Sequence, residues 1–245
     1  MARSERQLSD GRIGLYRHPL PVRLTHWVNA LCLLVLLMSG LQILNAHPAL
    51  YWGDISTFGR PLLWFGSGQG LAFAGWMTIP GWQDLAGGRR WHFFFAWVFV
   101  VNGGLYVLYA LLSGRIHRVL APDRAQLRNI GRSVTDHLRL RFPHGEEARR
   151  YNVLQKLSYL GVLFVLLPLM VLTGLTMSPA IDARWHFITA FFGGRQSART
   201  LHFLTAMTLV AFFVIHILAI LASGPLNEMR SIITGWFVIK PERRP

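Results

Sequence analysis

The chain has 245 residues, of which 52% are hydrophobic and only 15% are charged, and its mean hydropathy is +0.35. Soluble domains carry about 25% charged residues, so this composition excludes an ordinary soluble globular protein. The net charge of +14 does not indicate nucleic-acid binding, because the basic residues lie between long apolar runs and not on one soluble face.

The single cysteine, Cys32, lies within an apolar run. One cysteine cannot form an internal disulfide, attach a c-type haem through a CxxCH motif or hold an iron–sulfur cluster. Any redox cofactor therefore needs other ligands, and ten histidines are available. We expect Cys32 to be a small buried packing residue.

The N-terminal basic residues and the apolar run that follows resemble a signal peptide. However, the run over 27–46 exceeds the ~7–15 residues of a signal core, and no clean A-x-A site follows it, so we interpret it as an uncleaved first span. A spanning helix needs ~20 mostly apolar residues. Four segments meet that standard and predict an all-α membrane protein, a four-transmembrane-helix bundle in a single domain over 1–245: 25–46, 91–113, 157–178 and 201–223.

Three connections join these spans, over 47–90, 114–156 and 179–200. The first is rich in Trp, Gly and Pro, and we expect it to lie at the membrane interface or to cap the bundle. Its apolar segment 71–79 is too short to cross, so a fifth span is the less favoured alternative.

Lys and Arg are distributed unevenly about the predicted spans. Nineteen lie on the side of both termini and of the basic 114–156 loop, against six on the other side. This excess predicts that both termini and the basic loop are cytoplasmic and that the other two connections lie on the opposite, periplasmic side.

Four histidines fall at the predicted spans: His26 on the first, His92 on the second, and both His202 and His216 on the fourth. An ionisable residue inside a span is costly and calls for a functional explanation. Fourteen residues separate His202 from His216, which places them on one helix face and about 21 Å apart along the axis. Because the spans alternate in direction, His26 lies level with His216 on the cytoplasmic side, and His92 lies level with His202 on the periplasmic side.

Each level thus has two imidazoles from different helices, which supply both axial ligands of a haem. The pattern predicts two b-type haems whose irons are six-coordinate and suited to electron transfer. For any one of these histidines, the alternative is a polar residue that makes a single interhelical hydrogen bond. The other six histidines are interpreted as ordinary loop residues.

Cationic and small residues flank the predicted haem levels. Haem propionates need cationic partners, and the candidates are Arg89, Arg90 and Arg199 on the periplasmic side and Arg23 on the cytoplasmic side. Plain anchoring at the membrane interface explains each arginine equally well. Small residues leave room for a flat haem but are also common wherever membrane helices pack closely; the candidates are Gly40, Gly103, Gly104, Gly161 and Gly174.

Several segments resemble the bacterial cytochrome b561 family, which includes the cytochrome subunits of nickel–iron hydrogenases and formate dehydrogenases. They are RHPLPVRLTHW, RRWHF, RRYNVLQK, and RTLHF with VIHI. The resemblance covers nearly the whole chain, and the spacing of His202 and His216 is its most specific element. It implies a four-helix, di-haem cytochrome that exchanges electrons with membrane quinone, with His26 and His216 on one haem and His92 and His202 on the other.

The resemblance also implies a quinone contact and a partner. Formate dehydrogenase members have a similar YN-x-x-QK segment in which an asparagine contacts quinone, which implies that role for Asn152. Asn152 also stands where a helix N-cap is favoured, and the two roles are compatible. The long periplasmic connections resemble those of members that serve periplasmic oxidoreductases, often molybdenum enzymes, so we expect a membrane anchor and electron conduit for a separate catalytic subunit.

Two other functions are compatible with parts of this pattern. A self-sufficient quinone oxidoreductase with a small diffusible redox substrate would keep both haems. A transporter that uses intramembrane histidines is disfavoured, because none of the four spans contains Asp or Glu. The direction of electron flow, the quinone type and homo-oligomerisation stay open.

Overall fold

The computed structural model describes residues 5–9, 11–66, 71–139 and 151–239. In this part of the chain, four helical segments are long and apolar enough to cross a membrane: Leu20–Asn45, Leu85–Leu112, Val153–Thr176 and Arg195–Ser223. They confirm the predicted all-α membrane bundle with four spanning helices. Part of the predicted basic loop, 140–150, lies outside the described residues.

Shorter helices and strands join the spans. The helices are α1 (Leu20–Asn45), α2 (Leu85–Leu112), α3 (Arg124–Arg128), α4 (Ile130–Leu138), α5 (Val153–Gly161), α6 (Leu167–Thr176), α7 (Pro179–Arg184), α8 (His186–Phe191), α9 (Arg195–Ser223) and α10 (Pro225–Thr234). The strands are β1 (Glu5–Gln7), β2 (Ile13–Tyr16), β3 (Ala49–Leu50), β4 (Leu63–Trp64) and β5 (Trp236–Ile239).

The third span is not a uniform α-helix. A π-helical turn, Val162–Leu166, separates α5 from α6, and Pro168 follows in the first turn of α6. Proline has no amide hydrogen, so Pro168 cannot donate to the carbonyl four residues earlier, that of Phe164. The regular hydrogen-bond pattern is therefore interrupted at this point of the span.

The described residues fall into two compact units. The first unit takes its residues from 1–27, 104–162 and 212–245, and the second from 28–103 and 163–211. In the first unit, an antiparallel sheet in the order β1-β2-β5 joins strands from both ends of the chain. The two ends of the described chain therefore lie next to each other in this unit.

In the second unit, polar side chains of α9 hold the connection between α1 and α2. The hydroxyl of Thr200 donates to the carbonyl of Tyr51 at 2.6 Å, and the amide of Gly53 donates to the hydroxyl of Ser197 at 2.7 Å. Strands β3 and β4 pair within this connection. Several of its tryptophans are exposed, at Trp52, Trp64, Trp76 and Trp82.

Candidate functional site

His92 of α2 and His202 of α9 face each other in the second unit. Their ring centres are 6.2 Å apart, and the ring planes are inclined by 63°. The Nε2 atom of His202 is buried and has no hydrogen-bond partner among the described residues. Burying a polar atom without a partner is costly, and the interior of a membrane supplies no water to replace one. This nitrogen is therefore suited to bind a metal.

The other ring nitrogen of each histidine faces a hydroxyl group. Nδ1 of His92 lies 3.0 Å from the Oγ of Ser39, and Nδ1 of His202 lies 3.0 Å from the Oγ1 of Thr173. Ser39 belongs to α1 and Thr173 to α6. Each imidazole is thus oriented by a spanning helix other than its own.

A glycine follows each of these hydroxyl residues and lies against the same ring. A Cβ atom on Gly40 would stand 3.4 Å from Cε1 of His92, and one on Gly174 would stand 3.3 Å from Cε1 of His202. The absence of a side chain at these two positions lets the imidazoles pack closely against the neighbouring helices.

His26 of α1 and His216 of α9 form the corresponding pair in the first unit. Their ring centres are 6.4 Å apart, with planes inclined by 60°. Phe212 stacks on His216 at 5.9 Å, and Trp27 packs edge-on to His26 at 5.4 Å. The structure therefore brings together the same two pairs that the predicted depths indicate.

The dimensions of both pairs fit bis-imidazole ligation of one metal. With a metal–nitrogen distance of ~2.0–2.1 Å and a ring centre about 1.1 Å behind the nitrogen, two coaxial imidazoles have ring centres about 6.3 Å apart. The observed separations are 6.2 and 6.4 Å. In the part of the chain that the structure describes, no three His, Cys, Asp or Glu side chains form a metal-binding group. Two histidines are the protein ligands that a haem iron requires in such a site, since the porphyrin supplies four nitrogens.

Comparison with known proteins shows the family of the chain. The family model described as prokaryotic cytochrome b561 matches residues 17–235, which include all four histidines. The chain belongs to this cytochrome family. One relative, named a putative protein-methionine-sulfoxide reductase subunit YedZ1, of Azospira oryzae, is 30% identical over 200 residues, which cover 82% of this chain and 87% of that protein. No solved structure matches this cytochrome.

Membership of the family establishes the general character of this cytochrome. It is a multi-pass bacterial membrane protein that binds haem b and takes part in electron transport.

The predicted propionate partners are placed differently from one another. Arg89 and Arg90 are exposed on α2, and the guanidinium of Arg89 lies over the ring of Phe93 at 5.7 Å. Arg23, one turn before His26, has a buried Nε atom with no hydrogen-bond partner among the described residues. A buried guanidinium nitrogen of this kind suits an anionic group such as a propionate.

Arg199, one turn before His202, donates from Nη2 to the carbonyl of His47 at 2.7 Å. Outside the spanning helices, burial lowers the pKa of His47, and the nearby charge of Arg199 lowers it further. The Nε2 atom of His47 lies 3.1 Å from the hydroxyl of Tyr51. This group therefore links the end of α1 to the start of α9 within the second unit.

Asn152 is the N-cap of α5. Its Oδ1 accepts from the amide of Leu154 at 3.0 Å, and its own amide donates to Oε1 of Gln155 at 3.1 Å. Two polar side chains bond near it in the same unit: Lys156 donates to Gln126 at 2.8 Å, and Gln126 donates to the carbonyl of Tyr151 at 3.2 Å. The capping role of Asn152 is thus present in the structure.

An ion pair between a buried arginine and a half-buried glutamate lies in the same unit. Arg17 stands 3.7 Å from Glu228 of α10, and its guanidinium lies over the rings of Tyr151 and Phe237 at 4.4 and 4.8 Å. Burial raises the pKa of Glu228, while the charge of Arg17 opposes this rise. Arg17 therefore joins the sheet of the chain ends to the segment before α5.

Ser39 and Thr173 are the residues that the sequence analysis missed. Both are followed by glycine, as Ser39-Gly40 in the first span and Thr173-Gly174 in the third, but Ser-Gly also ends the other two spans, so this pair alone does not identify them.

Proposed function

We propose that the chain, as one functional domain over 1–245, is the membrane cytochrome subunit that carries electrons between the quinone pool and a separate oxidoreductase. It would hold two b haems, one between His26 and His216 and one between His92 and His202. The observation that carries the proposal is the presence of two imidazole pairs whose ring-centre separations, 6.4 and 6.2 Å, suit a shared iron.

The role of the chain is to hold and orient the ligands. A bound haem takes up and releases one electron at a time. The protein tunes the reduction potential of the haem through ligation, hydrogen bonding and exclusion of water. The spanning helices fix the four imidazoles, and the apolar residues around them keep the sites in a low-dielectric surrounding. Arg23, Arg89 and Arg90 are proposed as partners of the propionates.

Quinone is proposed to bind near His216 and Asn152, on the cytoplasmic side of a bacterial inner membrane. Reduction of one quinone to quinol takes two electrons and two protons, and oxidation of quinol returns them. If electrons arrive from the periplasmic partner, these protons come from the cytoplasm and the membrane potential grows. If quinol is the donor, the same chain supplies electrons to a periplasmic reductase.

The partner is proposed to be a periplasmic, molybdenum-dependent oxidoreductase subunit. The relative in Azospira oryzae is named as a subunit of a reductase, which supports an electron conduit more than a self-sufficient enzyme. Turnover of a small diffusible substrate by the purified chain alone would favour the self-sufficient alternative.

Absorption spectroscopy tests the two-haem proposal. The purified chain should show reduced-minus-oxidised bands of b-type haem at close to two equivalents per chain. His92→Ala should remove one haem and keep the other, and His216→Ala should remove the one that His92→Ala keeps. A colourless protein would exclude the proposal, and loss of the same haem from both variants would exclude the pairing.

A further inference from the structure

We propose that Ser39 and Thr173 are positioning residues that fix the tautomer of His92 and His202, so that Nε2 of each histidine faces the iron. This inference rests on the proposed function and adds residues to one of its two haem sites. It concerns the second unit, which contains all four residues.

The direction of each hydroxyl hydrogen carries the argument. The Oγ of Ser39 donates to the carbonyl of Val35 at 2.7 Å, and the Oγ1 of Thr173 donates to the carbonyl of Leu169 at 2.7 Å. A hydroxyl has one hydrogen and two lone pairs. With its hydrogen committed to the helix carbonyl, each hydroxyl faces the imidazole as an acceptor.

An acceptor at 3.0 Å from Nδ1 requires a hydrogen on that nitrogen. The Nδ1–H tautomer leaves the lone pair of the neutral ring on Nε2, which is the atom that coordinates a metal. The buried Nε2 of His202 has no hydrogen-bond partner among the described residues, as expected for a nitrogen reserved for iron.

The two contacts repeat one arrangement on two different helices. In each, a hydroxyl residue lies 3.0 Å from Nδ1, and the following glycine gives the ring space. The repetition at independent positions indicates a requirement of the site and not an incidental contact.

The His26/His216 pair differs in this respect. Its rings contact Trp27 and Phe212, and no hydroxyl contact of this kind is found for it among the described residues. A hydrogen bond from Nδ1–H makes the imidazole a stronger electron donor and stabilises the ferric state. The hydroxyls therefore lower the midpoint potential of the haem at His92 and His202 and leave the other haem unaffected.

Potentiometric titration of the purified haem-loaded protein tests this inference. Ser39→Ala and Thr173→Val should shift the midpoint potential of the His92/His202 haem upward and make this haem dissociate roughly 10-fold faster or more. Ser39→Thr and Thr173→Ser keep the hydroxyl and should restore both properties. The haem that persists in His92→Ala identifies the His26/His216 signal, which should not move.

Thr205→Val is the matched control. Thr205 is a buried residue of α9 whose hydroxyl donates to the carbonyl of Leu201 at 2.7 Å, so its loss removes the same kind of backbone contact without a histidine partner. Unchanged potentials in Ser39→Ala and Thr173→Val, or equal changes in the hydroxyl-keeping variants, would overturn the inference. A wild-type chain without haem would instead overturn the proposed function itself.

Discussion

Single residues determine how closely the imidazoles approach the neighbouring helices, and Gly174 makes the tightest of these contacts. A Cβ atom there would stand 3.3 Å from Cε1 of His202, so Gly174→Ala should displace the ring and weaken retention of its haem. Such overpacking costs about 1–3 kcal/mol. The rate of haem loss, followed by absorbance in detergent solution, measures the effect.

Gly131→Ala is the control for this substitution. Gly131 lies in α4, outside the four spans, where an added Cβ atom meets nothing within 4 Å, and alanine favours a helix equally at both positions. Equal haem retention in the two variants would show that Gly174 has no part in placing His202.

At this scale the sequence predicts residue types better than contacts. The four histidines follow from their cost inside a span, and Gly40 and Gly174 are among the small residues expected to leave room for a haem. The roles of Ser39 and Thr173 could not be predicted, because most Ser and Thr hydroxyls in a helix bond only to a carbonyl of that helix. Which ring such a hydroxyl also meets depends on how the helices pack.

At the scale of elements, two asparagines attach irregular segments to helices. In the second unit, Asn45 of α1 accepts from the amide of Phe73 at 2.8 Å and donates to its carbonyl at 3.0 Å. In the first unit, Asn227 of α10 accepts from the amide of Val238 at 3.0 Å and donates to its carbonyl at 2.8 Å. Each asparagine side chain thus hydrogen-bonds both the backbone amide and the backbone carbonyl of a single residue.

Removal of either asparagine should loosen only the segment it holds. Asn45→Ala and Asn227→Ala each leave two backbone groups without partners, at a cost of about 1–3 kcal/mol each where they are buried. Chymotrypsin, which cleaves after aromatic residues, should then cut near Phe73 in the first variant and near Phe237 in the second. Mass spectrometry of the fragments locates the cuts.

The two variants serve as controls for each other. The Asn45→Ala protein should resist cleavage in β5, and the Asn227→Ala protein should resist cleavage in the connection before α2. Identical fragment patterns, or cleavage of both segments in both variants, would contradict the local role of these side chains.

Four short strands escaped prediction for the same physical reason. The strands β2 and β5 are apolar runs of four residues, which periodicity alone does not distinguish from other structure. Strands β3 and β4 have two residues each. All depend on partners distant in the sequence, which a local pattern does not contain.

For the whole molecule, the four spans were predictable because lipid requires about 20 apolar residues in each. Their ends were not: α2 begins at Leu85 and α9 at Arg195, both ahead of the apolar runs at 91 and 201. Polar residues at the interface continue the helical hydrogen bonding, so hydropathy underestimates the length of the helix. The path of the 47–84 connection depends on contacts such as that of Thr200 with Tyr51, which only the fold creates.

The remaining prediction about the whole molecule concerns its orientation. Because nineteen of the 25 Lys and Arg residues lie on the side of the termini, we expect that side to be cytoplasmic. The only cysteine, Cys32, is fully buried, so Cys32→Ala provides a background for single cysteines at exposed positions. Ile55, 72% exposed, lies on the predicted periplasmic side, and Leu226, 88% exposed, lies on the predicted cytoplasmic side.

A membrane-impermeant maleimide applied to intact spheroplasts should label Ile55→Cys and leave Leu226→Cys unlabelled. Permeabilisation should then allow both to react, which shows that both thiols are accessible, while the Cys32→Ala background should stay unlabelled throughout. The reverse pattern would invert the orientation and place the proposed quinone contact at Asn152 on the periplasmic side. Labelling of both positions in intact spheroplasts would be incompatible with a four-span topology, because three crossings, an odd number, separate Ile55 from Leu226.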